Sequence, residues 1–415
     1  MQQAQTTAIT PEQSAMLDAV DAARMLERSC EWSRLNTGTA NLEGLARQAD
    51  MLAECFAMLP GEVRLEDPGP VSAIDASGAE IALQRGQHLV LSVRPDAPRR
   101  VLLTGHMDTV FPKDSAFQDI SEIEPGVLNG PGLADMKGGI AVIAEALMAF
   151  ETSSLAPQLG YDVMINADEE VGSQSSAALI ERLAKGKHAA LTYEPATAPD
   201  GTLAGARGGS GNYSVTIKGQ SAHAGRNPQD GRNAIVAASD LVLRLKQMQS
   251  AEIPINPAKI EGGSANNVVP DHAVLRFNIR PKSREAAAAF EAALPALLQE
   301  IETEHGVSAH LHGAISRPPK PIDPAAASLF ALVDDSSRAL GLVAGRRDTG
   351  GVCDGNNIAA CGVPVVDTMG VRGGSIHSPE EFLIVESLAE RARLSALVLH
   401  RIAAGELAAV LGELT

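Results

Sequence analysis

The chain has 415 residues, long enough for a large core and two or more domains, and its 45% hydrophobic and 20% charged composition is that of a globular protein. With 34 basic against 51 acidic residues the formal charge is −17. That balance argues against nucleic acid or an anionic membrane as the main partner, because both demand basic patches.

In chain order, Met1 to Gln13 is polar, with neither a basic n-region nor an apolar h-region, and no later apolar run reaches bilayer length. Cys30, Cys55, Cys353 and Cys361 form no tight metal pattern and read as reduced thiols, so a cytoplasmic location is expected. Helical spacing runs from about Pro11 to Leu59, on Met16, Val20, Met25, Leu42, Leu45 and Leu52. Strand and helix then alternate. Val101–Thr104 is a strand, and Ile140, Ile143, Leu147 and Phe150 mark one face of a helix. A strand at Tyr161–Asn166, a helix at 176–184 and a strand at Ala189–Tyr193 follow. The alternation predicts a doubly wound α/β domain.

A glycine-rich connector at Ala206–Gly211 changes the rhythm. Strand 212–218, helix 233–248, strands 255–261 and 273–280, helix 284–305 and strand 307–312 give the β-α-β-β-α-β order of a ferredoxin-like α+β unit. Arg317-Pro-Pro-Lys-Pro321 returns the chain to a helix at 325–340 and a strand at 363–367. The expected organisation is a discontinuous α/β domain, 1–206 with 319–415, carrying an inserted α+β domain at 207–318.

Chemistry-bearing residues cluster where the α/β strands end, the edge at which open sheets bind ligands. The first strand runs into Gly105-His106-Met107-Asp108, the second into Asp168-Glu169-Glu170, the third into Glu194, and the last leads through a glycine-rich loop to His377. Asp135 lies in the Gly130–Gly139 block before a helix. Histidine nitrogen mixed with carboxylate oxygen suits zinc, whereas magnesium and calcium prefer oxygen alone; cobalt or manganese are conceivable substitutes. Asp108 is placed to hydrogen-bond the His106 ring and set its tautomer. The Glu169-Glu170 pair suggests one carboxylate for metal and one as general base. Each motif alone is more often a turn or a helix cap; together, at four strand ends, they define a site.

The runs Gly105–Val110, Gly130–Gly139, Asn166–Glu170 with Gly172-Ser173, Tyr193-Glu194-Pro195, Gly219–Gly225 and the terminal His377 resemble the M20 metallopeptidases, in order, from about residue 95 onward. The resemblance implies a zinc-peptidase-like catalytic domain with an inserted dimerisation (lid) domain. It implies two zinc ions bridged by Asp135, one completed by His106 and Glu194, the other by Glu170 and His377, with Glu169 as base and a cis bond at Asp135–Met136. It implies that His223, in the inserted domain, stabilises the oxyanion in the partner subunit of a homodimer. Glu194, where dipeptidases and aminopeptidases tend to carry aspartate, favours the carboxypeptidase and deacylase branches. Arg280, Arg317 and Asn267 match substrate-binding positions of carboxypeptidase G-type enzymes, and a guanidinium fork suits a carboxylate. The expected activity is cleavage of the amide bond of an N-acyl or peptidyl amino acid with a free C-terminal carboxylate. A deacylase of the acetylornithine or succinyl-diaminopimelate type is the alternative, and a catalytically silent binding protein the alternative of another class.

Overall fold

The computed structural model describes residues 8–407, so the first seven residues of the Met1–Gln13 stretch stand outside the described region. A six-stranded sheet organises the larger part of the chain. Its strands follow the order Glu62–Glu66, His88–Val93, Leu159–Asn166, Arg99–His106, Ala189–Thr192 and Val365–Val366. The last four run parallel and the first two antiparallel at one edge.

Strand alternation sorts the sheet's side chains to two buried faces, as parallel strands covered on both sides require. Val101 and Leu103 join one core with Ile140, Ile143 and Leu147, whereas Leu102, Val90 and Met164 pack on the other side against Leu179, Ile180 and Ile358. Helix Gly138–Phe150 was expected to bury one face; it is buried almost all round. Its sequence is apolar on every side, and helices Glu386–Ala404 and Ala22–Ser33 pack on it. Glu145, its lone carboxylate, is held by Arg24 at 2.7 Å.

The inserted unit is an antiparallel sheet in the order Ile255–Gly262, His272–Ile279, Ser210–Lys218, Ser308–Arg317. Helices Ala234–Met248 and Arg284–His305 cover one face around Tyr213, Val215, Leu275, Phe277 and Phe290. This is the ferredoxin-like order expected from the sequence. Its closing strand extends to Arg317, five residues beyond the expected end, and thereby delivers that arginine to the junction with the larger unit. The connector read as a break at Ala206–Gly211 is short: strand Leu203–Arg207 ends and Ser210–Lys218 begins across Gly208–Gly209 alone. The expected strand 363–367 shortens to Val365–Val366, at the sheet edge. No described helix is long and apolar enough to cross a membrane.

Where the two units join, the incoming Arg207 and outgoing Lys320 exchange backbone hydrogen bonds of 2.9 Å. Both side chains converge on Asp367, with Arg207 Nε at 2.7 Å and Lys320 Nζ at 3.1 Å from Oδ2. Burial alone would raise the Asp367 carboxyl; the two cations hold it below its ordinary range. Removing one partner of a buried ion group strands the others without water. Asp367→Ala is therefore expected to cost about 3–5 kcal/mol in denaturant unfolding, and a loss below ~1 kcal/mol would show that the junction does not depend on this cluster.

Candidate metal centre and its cleft

The loop carrying Asp135 is held by residues outside the two donor groups. Gly132 takes a left-handed conformation (φ 69°) and the Asp135–Met136 peptide is cis, as expected. Glu381 accepts hydrogen bonds from the backbone N–H groups of Gly132, Ala134 and Asp135 at 3.1, 2.9 and 3.1 Å. Lys137 Nζ donates to the carbonyls of Trp32 and Leu35 at 2.9 and 2.7 Å, tying the far side of the loop down. Burial and the Asp135 charge push Glu381 up to about 8.

Asp135 is thereby presented between two imidazoles. Its Oδ1 lies 3.1 Å from His106 Nε2 and its Oδ2 3.2 Å from His377 Nε2. Glu194 Oε2 lies 3.7 Å from His106 Nε2, and Glu170 Oε2 lies 3.2 Å from His377 Nε2. Two donor groups result, His106–Asp135–Glu194 and Asp135–Glu170–His377, each with its ligand atoms within 4.8 Å of one another. They share Asp135.

The charge inventory asks for cations. Burial, then the neighbouring Asp135 charge, raises Glu170 to about 7, and burial raises Glu194. Asp135 and Glu170 push the half-exposed His377 imidazole up to about 11. A field that stabilises an added proton this strongly also stabilises a bound divalent ion, and the mixed imidazole–carboxylate donors match zinc's preference.

Asp108 departs from its expected role. His106 Nδ1 points at the Asp108 backbone carbonyl, 3.0 Å away, with the carboxylate further off at 3.4 Å. The carboxylate instead accepts from the N–H groups of Glu169 and Glu170 at 3.1 and 3.3 Å and from Thr39 Oγ1 at 2.7 Å. It fixes the turn that carries both glutamates, while the carbonyl sets the His106 tautomer. Asp168 ties the same turn to Ser175 and Ser176 at 2.7 Å.

Glu169, Glu170, Asp135, Glu194 and His377 open onto one cleft of about 850 Å³, walled on the inserted side by Arg280, Ser316 and Arg317. Burial pushes the Glu169 carboxyl well above its usual range, opposed by Arg317. Arg280 is exposed and bonded through Nε to Asn278 Oδ1 at 2.8 Å. Arg317 is buried, with both amino groups engaged: Nη2 donates to Glu169 Oε1 at 2.7 Å and Nη1 to Asp354 Oδ1 at 2.5 Å. That commitment conflicts with the expected anchor role for Arg317, which needs a free guanidinium edge. His223 and Asn267 do not line the cleft. Their segments pair within the inserted unit, where the Asn267 carbonyl accepts from Ala224 N at 2.9 Å and His223 bridges to Val268, and both residues are exposed.

Sequence reasoning missed Glu381 and Asp354. Glu381 follows His377 in Ser378-Pro-Glu-Glu381, and Asp354 opens helix Asp354–Ala360; each reads as an ordinary turn or cap carboxylate. Arg347, on strand Arg346–Thr349, also lines the cleft and was not singled out.

Paired donor sets at the carboxyl ends of parallel strands, with the buried Glu169 carboxylate beside them, define a metal-dependent hydrolase. The chain belongs to peptidase family M20/M25/M40, whose model matches residues 102–401. It is 28% identical over 407 residues to carboxypeptidase G2 of Pseudomonas sp. (strain RS-16), covering 96% of this chain and 92% of that protein. It is 28% identical over 330 residues to the succinyl-diaminopimelate desuccinylase of Methylocella silvestris, covering 73% and 82%. A tripeptidase structure from Staphylococcus aureus superimposes with a TM-score of 0.71 at 25% identity, over 93% of this chain and all of that one.

Because Glu381 alone gathers three N–H groups around Asp135, Glu381→Ala is expected to weaken metal affinity by about 10–100-fold in chelator competition. Unchanged affinity would mean that the loop holds its shape without it.

Proposed function

We propose that this protein hydrolyses the amide bond of an N-acyl or peptidyl amino acid bearing a free C-terminal carboxylate, using two zinc ions. The observation that carries the proposal is the shared Asp135, flanked by two imidazole–carboxylate donor groups beside a buried Glu169 in one cleft. The similarity to carboxypeptidase G2 over nearly the whole chain supports the same reading.

His106, Asp135 and Glu194 would hold one ion and Asp135, Glu170 and His377 the other. Bound there, two divalent ions supply Lewis-acid polarisation of a carbonyl and a more acidic water. Glu169 takes a proton from the attacking water and returns it to the leaving nitrogen, so that water is consumed and an acid and an amine are released. Arg280, which lines the cleft and is exposed, would take the substrate carboxylate. The desuccinylase similarity keeps the deacylase reading as the second candidate, since it shares the chemistry and differs in the acyl group.

A panel of N-acyl amino acids and dipeptides given to zinc-loaded protein, with a chelated control, separates these. Chelator-sensitive release of amino acids from blocked substrates is expected, and preference for a succinyl or acetyl group would select the deacylase. No turnover of any member with metal bound would overturn the proposal. Glu169→Gln should keep its metal and lose about 10²–10⁴-fold in kcat; normal turnover would remove Glu169 as base.

We further infer a homodimer through the inserted unit. Its edge strand Ile255–Gly262 is unpaired on one side among the described residues, and Val236 and Leu243 stand 51% and 63% exposed on the adjacent helix. The exposed His223 then serves the partner's cleft. Mixing His223→Ala with Glu169→Gln is expected to restore about a quarter of wild-type activity, from one intact site in each mixed dimer. No recovery in mixed dimers would place His223 outside the partner's site.

A further inference from the structure

The inference here rests on the reading of Glu169 as base and concerns what holds it. Arg317 ends the strand Ser308–Arg317, and its side chain is 2% exposed. Nη2 donates to Glu169 Oε1 at 2.7 Å, to the Glu169 carbonyl at 3.3 Å and to Ser173 Oγ at 2.8 Å. Nη1 donates to Asp354 Oδ1 at 2.5 Å and to Asn357 Oδ1 at 2.8 Å. Asp354 is itself fixed by Asn166 Nδ2 at 2.8 Å and Ser173 Oγ at 2.6 Å. The guanidinium is therefore braced from behind and directed at Glu169, with the base's own N–H held by Asp108. A substrate carboxylate would have to displace these buried charge-assisted bonds before it could form a bidentate pair, whereas the exposed Arg280 imposes no such cost.

We propose that Arg317 is a positioning residue for Glu169, fixing the carboxylate of the base in the cleft, and is not the anchor for the substrate carboxylate. Because Arg317 lies on the strand that leaves the inserted unit, it also ties the base to the placement of that unit.

The experiment compares wild type, Arg317→Met, Arg317→Lys and Arg280→Met, all metal-loaded, on an N-acyl amino acid and its C-terminal carboxamide, with a crystal structure of each Arg317 variant. Arg317→Met is expected to lower kcat about 100-fold or more on both substrates, with KM for the acid within about threefold of wild type. Arg317→Lys, which keeps a cation beside Asp354 and folds if the methionine variant does not, is expected to give an intermediate kcat with the same unchanged KM. The crystal structures should show the Glu169 carboxylate displaced in Arg317→Met, or spread over more than one rotamer in Arg317→Lys. Loss of the acid-over-carboxamide preference should appear in Arg280→Met. A KM for the acid raised more than about tenfold with kcat retained in either Arg317 variant, or an unmoved Glu169, would overturn the proposal. If wild type turns over neither substrate, the assigned reaction fails, and the position of Glu169 in the variant crystals still decides the role of Arg317.

Discussion

Everything at the site turns on one carboxylate shared between two imidazoles. Asp135 faces His106 and His377 at once from a loop pinned by Glu381 and by Lys137, each spending buried polar bonds on backbone groups. A buried carboxylate flanked by further carboxylates is costly without positive charge. Burial and the Asp135 charge raise Glu170, while Asp135 and Glu170 together stabilise the charged form of His377. The centre thus gathers carboxylates and imidazoles into two donor groups of the kind that hold a metal ion.

The fold serves this constraint by converging strand ends. His106 ends the strand Arg99–His106, and the glutamate turn follows the adjoining parallel strand Leu159–Asn166, so their register sets how far apart these groups sit. Both faces of that sheet are packed, which leaves the loops at its carboxyl edge as the part of the sheet able to carry polar function. The inserted unit contributes differently. It meets the larger one at Asp367, between Arg207 and Lys320, and at Arg317 beside Glu169, so ion pairs join the backbone hydrogen bonds at the junction, next to the cleft.

Much of this was legible in the residues because alternation and helical spacing report burial directly. The parallel strands, the ferredoxin-like order and helix Arg284–His305 follow from those periods. His106, Asp135, Glu170, Glu194 and His377, proposed on motif and strand-end position, come together in space. What stayed illegible was the partner of each polar group. Nothing in Gly-His-Met-Asp says that the ring meets the Asp108 carbonyl while the carboxylate turns to the Glu169 and Glu170 amides. Arg317 read as a free anchor because its partners, Glu169 and Asp354, lie 148 and 37 residues away in opposite directions along the chain. The short strand Val365–Val366 and the hairpin Val71–Ile74 with Glu80–Leu83 carry too few residues to show a period.

Metal stoichiometry by elemental analysis tests the shared-carboxylate account most directly. Wild type is predicted to bind about two ions per chain, His377→Ala to retain about one, and Asp135→Ala to lose both. Wild type saturating at a single ion, or Asp135→Ala binding as many ions as wild type, would contradict it.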